Sequence, residues 1–337
     1  MIPHSRPNLS VDDFNSVNIT LKSGMISNGT INKKFKELLL ETLNTEFVQL
    51  SSSGTMAFYK ILLALKIKKS DEILLPDYIC SSLLNPIRII GAKAVFYDNK
   101  ENSWLSSSDL ILSKLTDKTK VIIVNHTFGF LFEEIKKLKN LISPEIFIIE
   151  DCCHLITPKS MFQGSLISEY SLCSFYSFNA TKLITTGEGG AISTKTSWVI
   201  EELKKIEIGD ELSDLNCKLG INQINNLPYF LEKRQEIAHR YITKFKDYID
   251  LEYLNQKSIF FRFPILVENN DTFFKSKIVS YKLGVDTLLS EITNLKPLKN
   301  TDALLKKIVS VPIYPSLTKS EISYIINETL EIIRHAS

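Results

Sequence analysis

Asp151 and Lys182 are the residues of this chain whose types and surroundings point to covalent chemistry. They lie in one stretch, Ile149 to Thr194. It reads Ile-Glu-Asp-Cys-Cys-His, a spacer, then Ser-Phe-Asn-Ala-Thr-Lys-Leu-Ile-Thr-Thr-Gly-Glu-Gly-Gly-Ala-Ile-Ser-Thr. Lys182 sits in a small polar turn after an apolar run. A lysine amine can condense with an aldehyde, and a carboxylate can keep a pyridine nitrogen protonated. That pair is what a pyridoxal phosphate site needs, because the protonated ring then serves as an electron sink. Taken singly, Asp151 and Lys182 read as solvated loop charges, and Gly187, Gly189 and Gly190 as an ordinary turn. Taken together they read differently. Ile146-Phe147-Ile148-Ile149 has the signature of a buried strand, and Asp151 lies just past it, where open α/β sheets place ligands.

A phosphate-sized site is suggested upstream. Phe47-Val48-Gln49-Leu50 reads as a strand, Ser51-Ser52-Ser53-Gly54-Thr55 as a small polar turn, and Met56 to Ile67 as a helix. Strand, turn and helix start expose free backbone N–H groups at a positive dipole end. The same residues also suit a serine cap on a buried helix that holds no ligand.

Glu-Asp-x-x-His, Ser-Phe-x-x-Thr-Lys and Thr-Gly-Glu-Gly-Gly, in this order and spacing, resemble the DegT/StrS family of sugar-nucleotide aminotransferases. The resemblance implies an α/β fold like aspartate aminotransferase, fold type I. A large domain over residues 1–245 would hold a mostly parallel sheet and pyridoxal phosphate, and a smaller α+β domain would follow over 246–337. It implies Lys182 as the residue that bonds the cofactor and moves the proton, and Asp151 as partner of the ring nitrogen. Gly54 and Thr55 would contact the phosphate, with the Ser177 hydroxyl. His154, three past the acid, would reach the phenolic oxygen. In Asp214-Leu215-Asn216-Cys217-Lys218-Leu219-Gly220, a loop in the family, Asn216 would cross to a neighbouring subunit's phosphate, so a homodimer with shared sites is implied. An ordinary intrachain amide is the other reading of Asn216.

Some positions depart from the pattern. Cys80 falls where the family places an aromatic ring over the cofactor, so Tyr78 is the candidate for stacking, against a core role at a strand end. His126 reads as a hydrogen-bonded core residue. The stretch Gly284 to Glu291 lacks the His-Tyr-x-Pro element that faces the sugar nucleotide in many members. The resemblance implies an amino donor, glutamate by analogy, and a nucleotide-linked keto sugar as acceptor, in amino-sugar or polysaccharide biosynthesis. Two alternatives stay open: another pyridoxal phosphate reaction on an amino acid or non-nucleotide keto compound, and a catalytically silent binding or regulatory homologue.

The rest of the chain bounds these readings. Its 337 residues suit a large domain plus a smaller one, and 44% are hydrophobic, enough for a core. Lys plus Arg number 40 against 38 acids, a balance that gives nucleic acid no support as partner. No run is apolar and long enough for a membrane span or a signal peptide. Five cysteines, odd in number and without framework spacing, suit a reducing cytoplasm. Cys152-Cys153-His154 has no second ligand pair, and adjacent ligands fit one tetrahedral ion badly, so no metal is expected. Further elements are expected as a glycine-bounded loop over Leu21–Gly29, a helix from Ile31 to Leu43, strands at Asp71–Pro76, Ala94–Asp98, Lys120–Val124 and Ser171–Phe178, and a long helix after Pro228. A strand over Phe260–Val267 and a helix capped by Thr318-x-x-Glu321 close the chain.

Overall fold

The computed structural model describes residues 1–158, 167–251, 254 and 257–336. Short, largely apolar runs become strands: β1 (Phe47–Ser51), β2 (Glu72–Pro76), β3 (Lys93–Tyr97), β4 (Thr119–Asn125), β5 (Phe147–Asp151), β6 (Cys173–Ser177) and β7 (Gly190–Thr194). They form one sheet in the order β1-β7-β6-β5-β4-β2-β3. Strand β7 runs antiparallel to both of its neighbours, and the remaining pairs are parallel.

Helices cover both faces. In chain order these are α1 (Val11–Ser23), α2 (Thr30–Leu43), α3 (Gly54–Ala64), α4 (Leu84–Ile90), α5 (Ser108–Leu112), α6 (Ile135–Leu141), α7 (Ser197–Lys204), α8 (Asp214–Asn225) and α9 (Leu227–Phe245). The period-two alternation of a strand decides which helix each residue meets. Ile73, Leu75, Val121, Ile123 and Ile149 pack with Phe58, Ile61, Leu84, Ile87, Val199 and Leu203 of α3, α4 and α7. Their alternates Leu74, Ile122, Val124 and Ile148 pack with Ile111, Ile135 and Leu138 of α5 and α6. A sheet buried on both faces is what continuous apolar strands require.

After α9 come β8 (Phe263–Leu266), α10 (Leu289–Ile292), α11 (Lys299–Leu305), β9 (Ile308–Val311) and α12 (Lys319–Ala336), with β8 and β9 antiparallel. Thr318 and Glu321 exchange the two capping bonds expected of them, at 2.8 and 3.1 Å. The amino-terminal residues dock on this carboxy-terminal part, with Ile2 bridging Val279 and His4 bonded to Ser310 at 2.9 Å.

Three expectations need correction. Residues 214–220 are the first two turns of α8, not a loop. The Ser213 hydroxyl accepts from Asn216 N–H at 3.2 Å, and Cys217, Ile221 and Ile224 supply a buried stripe at helical spacing. Phe260 and Phe261 precede the strand, because Phe260 turns through φ +49° and β8 starts at Phe263. The stretch from Leu21, expected as loop, begins inside α1. That helix buries Asp13, Ser16 and Thr20 and leaves Val11, Phe14 and Leu21 exposed. Its polar face binds α8 through Asn222 to Ser16 at 2.6 Å and Gln223 to Asp13 at 3.3 Å.

Candidate active site

Parallel pairing aligns the carboxy-terminal ends of β4, β5 and β6, with Asn125 opposite Asp151 and Asp151 opposite Phe175. A cavity of about 520 Å³ opens there. Gly54, Thr55, Tyr78, Asp151, His154, Ser177 and Lys182 all line it. Asn216 does not. Its amide donates to Thr186 O at 2.7 Å and its Oδ1 accepts from the Ser213 hydroxyl at 2.5 Å. Within one chain it is thus a bonded amide behind the Thr-Gly-Glu-Gly-Gly turn.

Asp151 ends β5 with 8% of its surface exposed. Its Oδ1 accepts from Cys153 N–H at 2.9 Å. Burial pushes its carboxyl above the usual carboxylate range, although that hydrogen bond and the charge of Lys182 pull the other way. A buried carboxylate in this state gains from a cation placed against it. Lys182 is half-buried, with Nζ 5.4 Å from the centre of the Phe261 ring.

His154 lies flat on the same ring, 4.4 Å between centres and 22° between planes. Its Nδ1 accepts Phe128 N–H at 3.3 Å. Burial, then Lys182 and Arg262, hold the imidazole well below its ordinary pKa. A neutral ring with Nδ1 accepting must carry its proton on Nε2, so His154 offers a donor from that atom.

The phosphate-sized end is built from α3. Ser53 caps the helix by accepting Met56 N–H at 3.1 Å. The Thr55 hydroxyl donates to the Ser82 hydroxyl at 3.0 Å. Gly54 abuts β6 so closely that a Cβ there would lie 3.1 Å from Ser177 Cβ. Gly190 of β7 is tighter still, with a Cβ only 2.5 Å from the Ser53 carbonyl. The second glycine of Gly-Gly thus lets strand and loop touch.

Tyr78 is 1% exposed, and its hydroxyl donates to Leu283 O. Its ring meets Phe128 edge-on, 6.2 Å between centres. It is anchored as a wall of the cavity, while Cys80 stands exposed on the same lining. His126 also lines the cavity and uses both nitrogens: Nδ1 accepts Phe132 N–H at 3.2 Å, and Nε2 meets Glu150 at 2.9 Å. Glu150 also accepts from Ser168 N–H at 2.7 Å and the Ser171 hydroxyl at 2.5 Å. Cys152 completes a compact trio with these two, but a doubly bonded imidazole has no lone pair left for a metal.

Sequence reasoning missed Phe261, Arg262 and Glu188. Arg262 and Glu188 line the cavity, and Phe261 supports Lys182 and His154. Phe261 and Arg262 were hidden inside a run that reads as plain strand. Glu188, inside the glycine-rich motif, accepts from the Asn179 amide at 2.7 Å.

The cavity fits pyridoxal phosphate. Its volume lies within the roughly 300–1,000 Å³ of small-molecule sites, and it combines an amine, a buried acid, a neutral imidazole donor and a helix start. Among the described residues, no helix is long and apolar enough to cross a membrane.

The family model for the DegT/DnrJ/EryC1/StrS aminotransferases matches residues 7–209 and 208–330. The chain is 25% identical over 357 residues to GDP-perosamine synthase of Escherichia coli O157:H7, covering 96% of each. It is 29% identical over 268 residues to UDP-4-amino-4,6-dideoxy-N-acetyl-beta-L-altrosamine transaminase of Campylobacter jejuni, 73% of this chain and 70% of that one. Among solved structures, NtdA from Bacillus subtilis with bound cofactor PMP superposes with a TM-score of 0.84 at 22% identity, over 96% of this chain and 81% of that one.

Proposed function

The chain belongs to the DegT/DnrJ/EryC1/StrS aminotransferase family, and on that premise we propose that this pyridoxal phosphate-dependent aminotransferase moves an amino group onto a nucleotide-linked keto sugar. The donor is glutamate by analogy with the family. The observation that carries the reading is the meeting of Asp151, His154 and Lys182 on one cavity at the strand ends. Two relatives whose names describe the making of amino sugars on GDP or UDP support the acceptor class.

The cofactor, when bound, supplies an electron-withdrawing ring that stabilises negative charge on the carbon losing a proton. The protein's residues do the rest. The Asp151 carboxylate would hold a proton on the ring nitrogen, and that pairing would offset the burial cost of its own charge. His154 would offer Nε2–H to the phenolic oxygen. Thr55, Ser177 and the backbone N–H groups that open α3 would hold the phosphate. Lys182 Nζ, once free, would take the proton from the donor's α-carbon.

Asn216 completes the phosphate site of a second copy in this proposal, so the active form is a homodimer. Exposed apolar residues on α1 and the loop after it support this. Val11 is 72% exposed, Phe14 58% and Met25 72%. The loop after α1 joins α8 near Asn216, where Asp214 N–H donates to Ser27 O at 2.8 Å. An apolar face of this kind favours a protein partner over water.

A Lys182→Ala protein should lose a borohydride-sensitive absorbance band and both half-reactions. Residual transamination without added amine would count against the assignment. Offering the pyridoxamine form a panel of nucleotide keto sugars tests the acceptor. Gly284, Val285, Asp286 and Thr287 line the cavity where the His-Tyr-x-Pro element is missing, which favours a non-nucleotide keto compound as the second reading.

A further inference from the structure

We infer that Arg262 binds the α-carboxylate of the amino donor and so holds the donor's reacting carbon beside Lys182. The inference rests on the transamination proposed above. Arg262 follows the Phe260 turn and is fixed by its backbone, whose N–H donates to Phe128 O at 3.2 Å. Its guanidinium carbon lies 4.6 Å from the centre of the Phe261 ring. Lys182 Nζ lies 5.4 Å from that same centre. Both side chains therefore lie within 6 Å of one ring centre, and both line the cavity.

The Arg262 charge is not compensated. Its Nη1 donates to His4 Nδ1 at 3.0 Å, and the other His4 nitrogen meets the Ser310 hydroxyl at 2.9 Å. His4 must be neutral to accept from a guanidinium, and burial together with Arg262 holds it well below the ordinary imidazole range. Among the described residues no carboxylate forms an ion pair with Arg262. Other buried cations differ. Lys60 is paired with Asp210, and Arg234 donates to the carbonyls of Phe260, Phe261 and Ile313. Burial brings Arg262 down to about 10, so it stays charged at neutral pH.

A guanidinium on a cavity wall without an acid selects an oxyanion, and its planar fork matches a carboxylate. The proposed reaction offers two oxyanions, the donor's α-carboxylate and the acceptor's diphosphate. The carboxylate is attached to the carbon whose nitrogen is exchanged at Lys182. The diphosphate is separated from its carbonyl carbon by part of a sugar ring. A cation sharing a ring with the reacting amine is placed for the first.

The test uses cofactor-loaded protein and calorimetric titration with glutarate and, separately, UDP. Arg262→Gln should weaken glutarate at least tenfold and leave UDP within twofold. Arg262→Lys keeps the charge and loses the fork, so it should fall between. Should Arg262→Gln not fold, Arg262→Lys and His4→Gln, which loosens the guanidinium, carry the same comparison. Unchanged glutarate affinity in the variants, weakening of UDP instead, or no glutarate binding by a wild-type protein that shows the borohydride-sensitive band overturns the inference. A wild-type protein without that band overturns the transaminase reading itself.

Discussion

Replacing Gly190 by alanine should weaken phosphate binding by pushing the Ser53–Gly54 turn out of place. A Cβ there would lie 2.5 Å from the Ser53 carbonyl carbon and oxygen and 2.6 Å from Gly54 N. Ordinary contact between such atoms needs about 3.5 Å, so something must move by about 1 Å. Strand β7 cannot yield easily. Gly190 is paired with Ser51 of β1 on one side and Ser177 of β6 on the other. The Ser53–Gly54 turn must shift, and with it the amides that open α3. Overpacking of this kind costs about 1–3 kcal/mol of stability. Moving charge-assisted bonds off their anion should cost a similar amount in cofactor affinity, about ten- to a hundredfold. Titration of the apoprotein with pyridoxal phosphate, followed by absorbance, measures the second effect, and thermal melting the first. Gly209→Ala is the control. It has φ +73° and open space around it, so it should lose about 1 kcal/mol in stability and keep its cofactor affinity. A Gly190→Ala protein that binds cofactor within twofold of wild type would refute the argument.

Stability of the apoprotein should vary with pH in two windows of opposite slope. Between the ordinary carboxylate range and the raised value of Asp151, the folded protein keeps a proton that the unfolded chain has lost, so stability falls as pH rises. Between the lowered value of His154 and the ordinary imidazole range, the unfolded chain takes the extra proton, so stability falls as pH drops. His4 adds to that second slope. Melting curves against pH should show Asp151→Asn flattening the first window and His154→Gln reducing the second; unaltered slopes in both variants would refute this. A mixing experiment tests the shared site. Lys182→Ala and Asn216→Ala should each be inactive alone, yet random pairing of the two should recover about a quarter of the wild-type rate. Sites complete within one chain would recover nothing. Phe14→Glu, on the exposed apolar face, should shift sedimentation towards monomer.

The sheet was legible because buried parallel strands announce themselves as apolar runs. Ile146–Ile149 and Lys120–Val124 became β5 and β4 within a residue or two. Asp151 and Lys182 were legible for another reason: each is a charged residue at the end of an apolar run, and topology brings such ends together. Helix α1 was not legible. It turns Asp13, Ser16 and Thr20 inward and Val11 and Phe14 outward, the reverse of what an amphipathic pattern would suggest for an isolated chain. Its polar face is satisfied by Asn222 and Gln223, some two hundred residues away in sequence, and no local pattern carries that information.

Phe261 and Arg262 show why this wall of the cavity is harder to read than the strand ends. The residues proposed to hold the cofactor sit at strand ends and in the turns that follow them, so each is announced by a nearby strand. Phe261 reaches Lys182 and His154 because the segment before β8 docks on the turn after β4, with Ile259 N–H bonded to Gly129 O at 3.0 Å. The positive φ of Phe260 swings the chain so that successive side chains do not alternate as a strand would make them. One ring then carries a neutral imidazole on its face and has Lys182, Arg234 and Arg262 within 6 Å of its centre. An aromatic ring holds such cations through its quadrupole without neutralising them. Arg234 spends its charge on backbone carbonyls. Arg262, which lines the cavity without an acid beside it, keeps its charge for what enters there, and in the proposal above that is the carboxylate next to the carbon whose proton Lys182 would take.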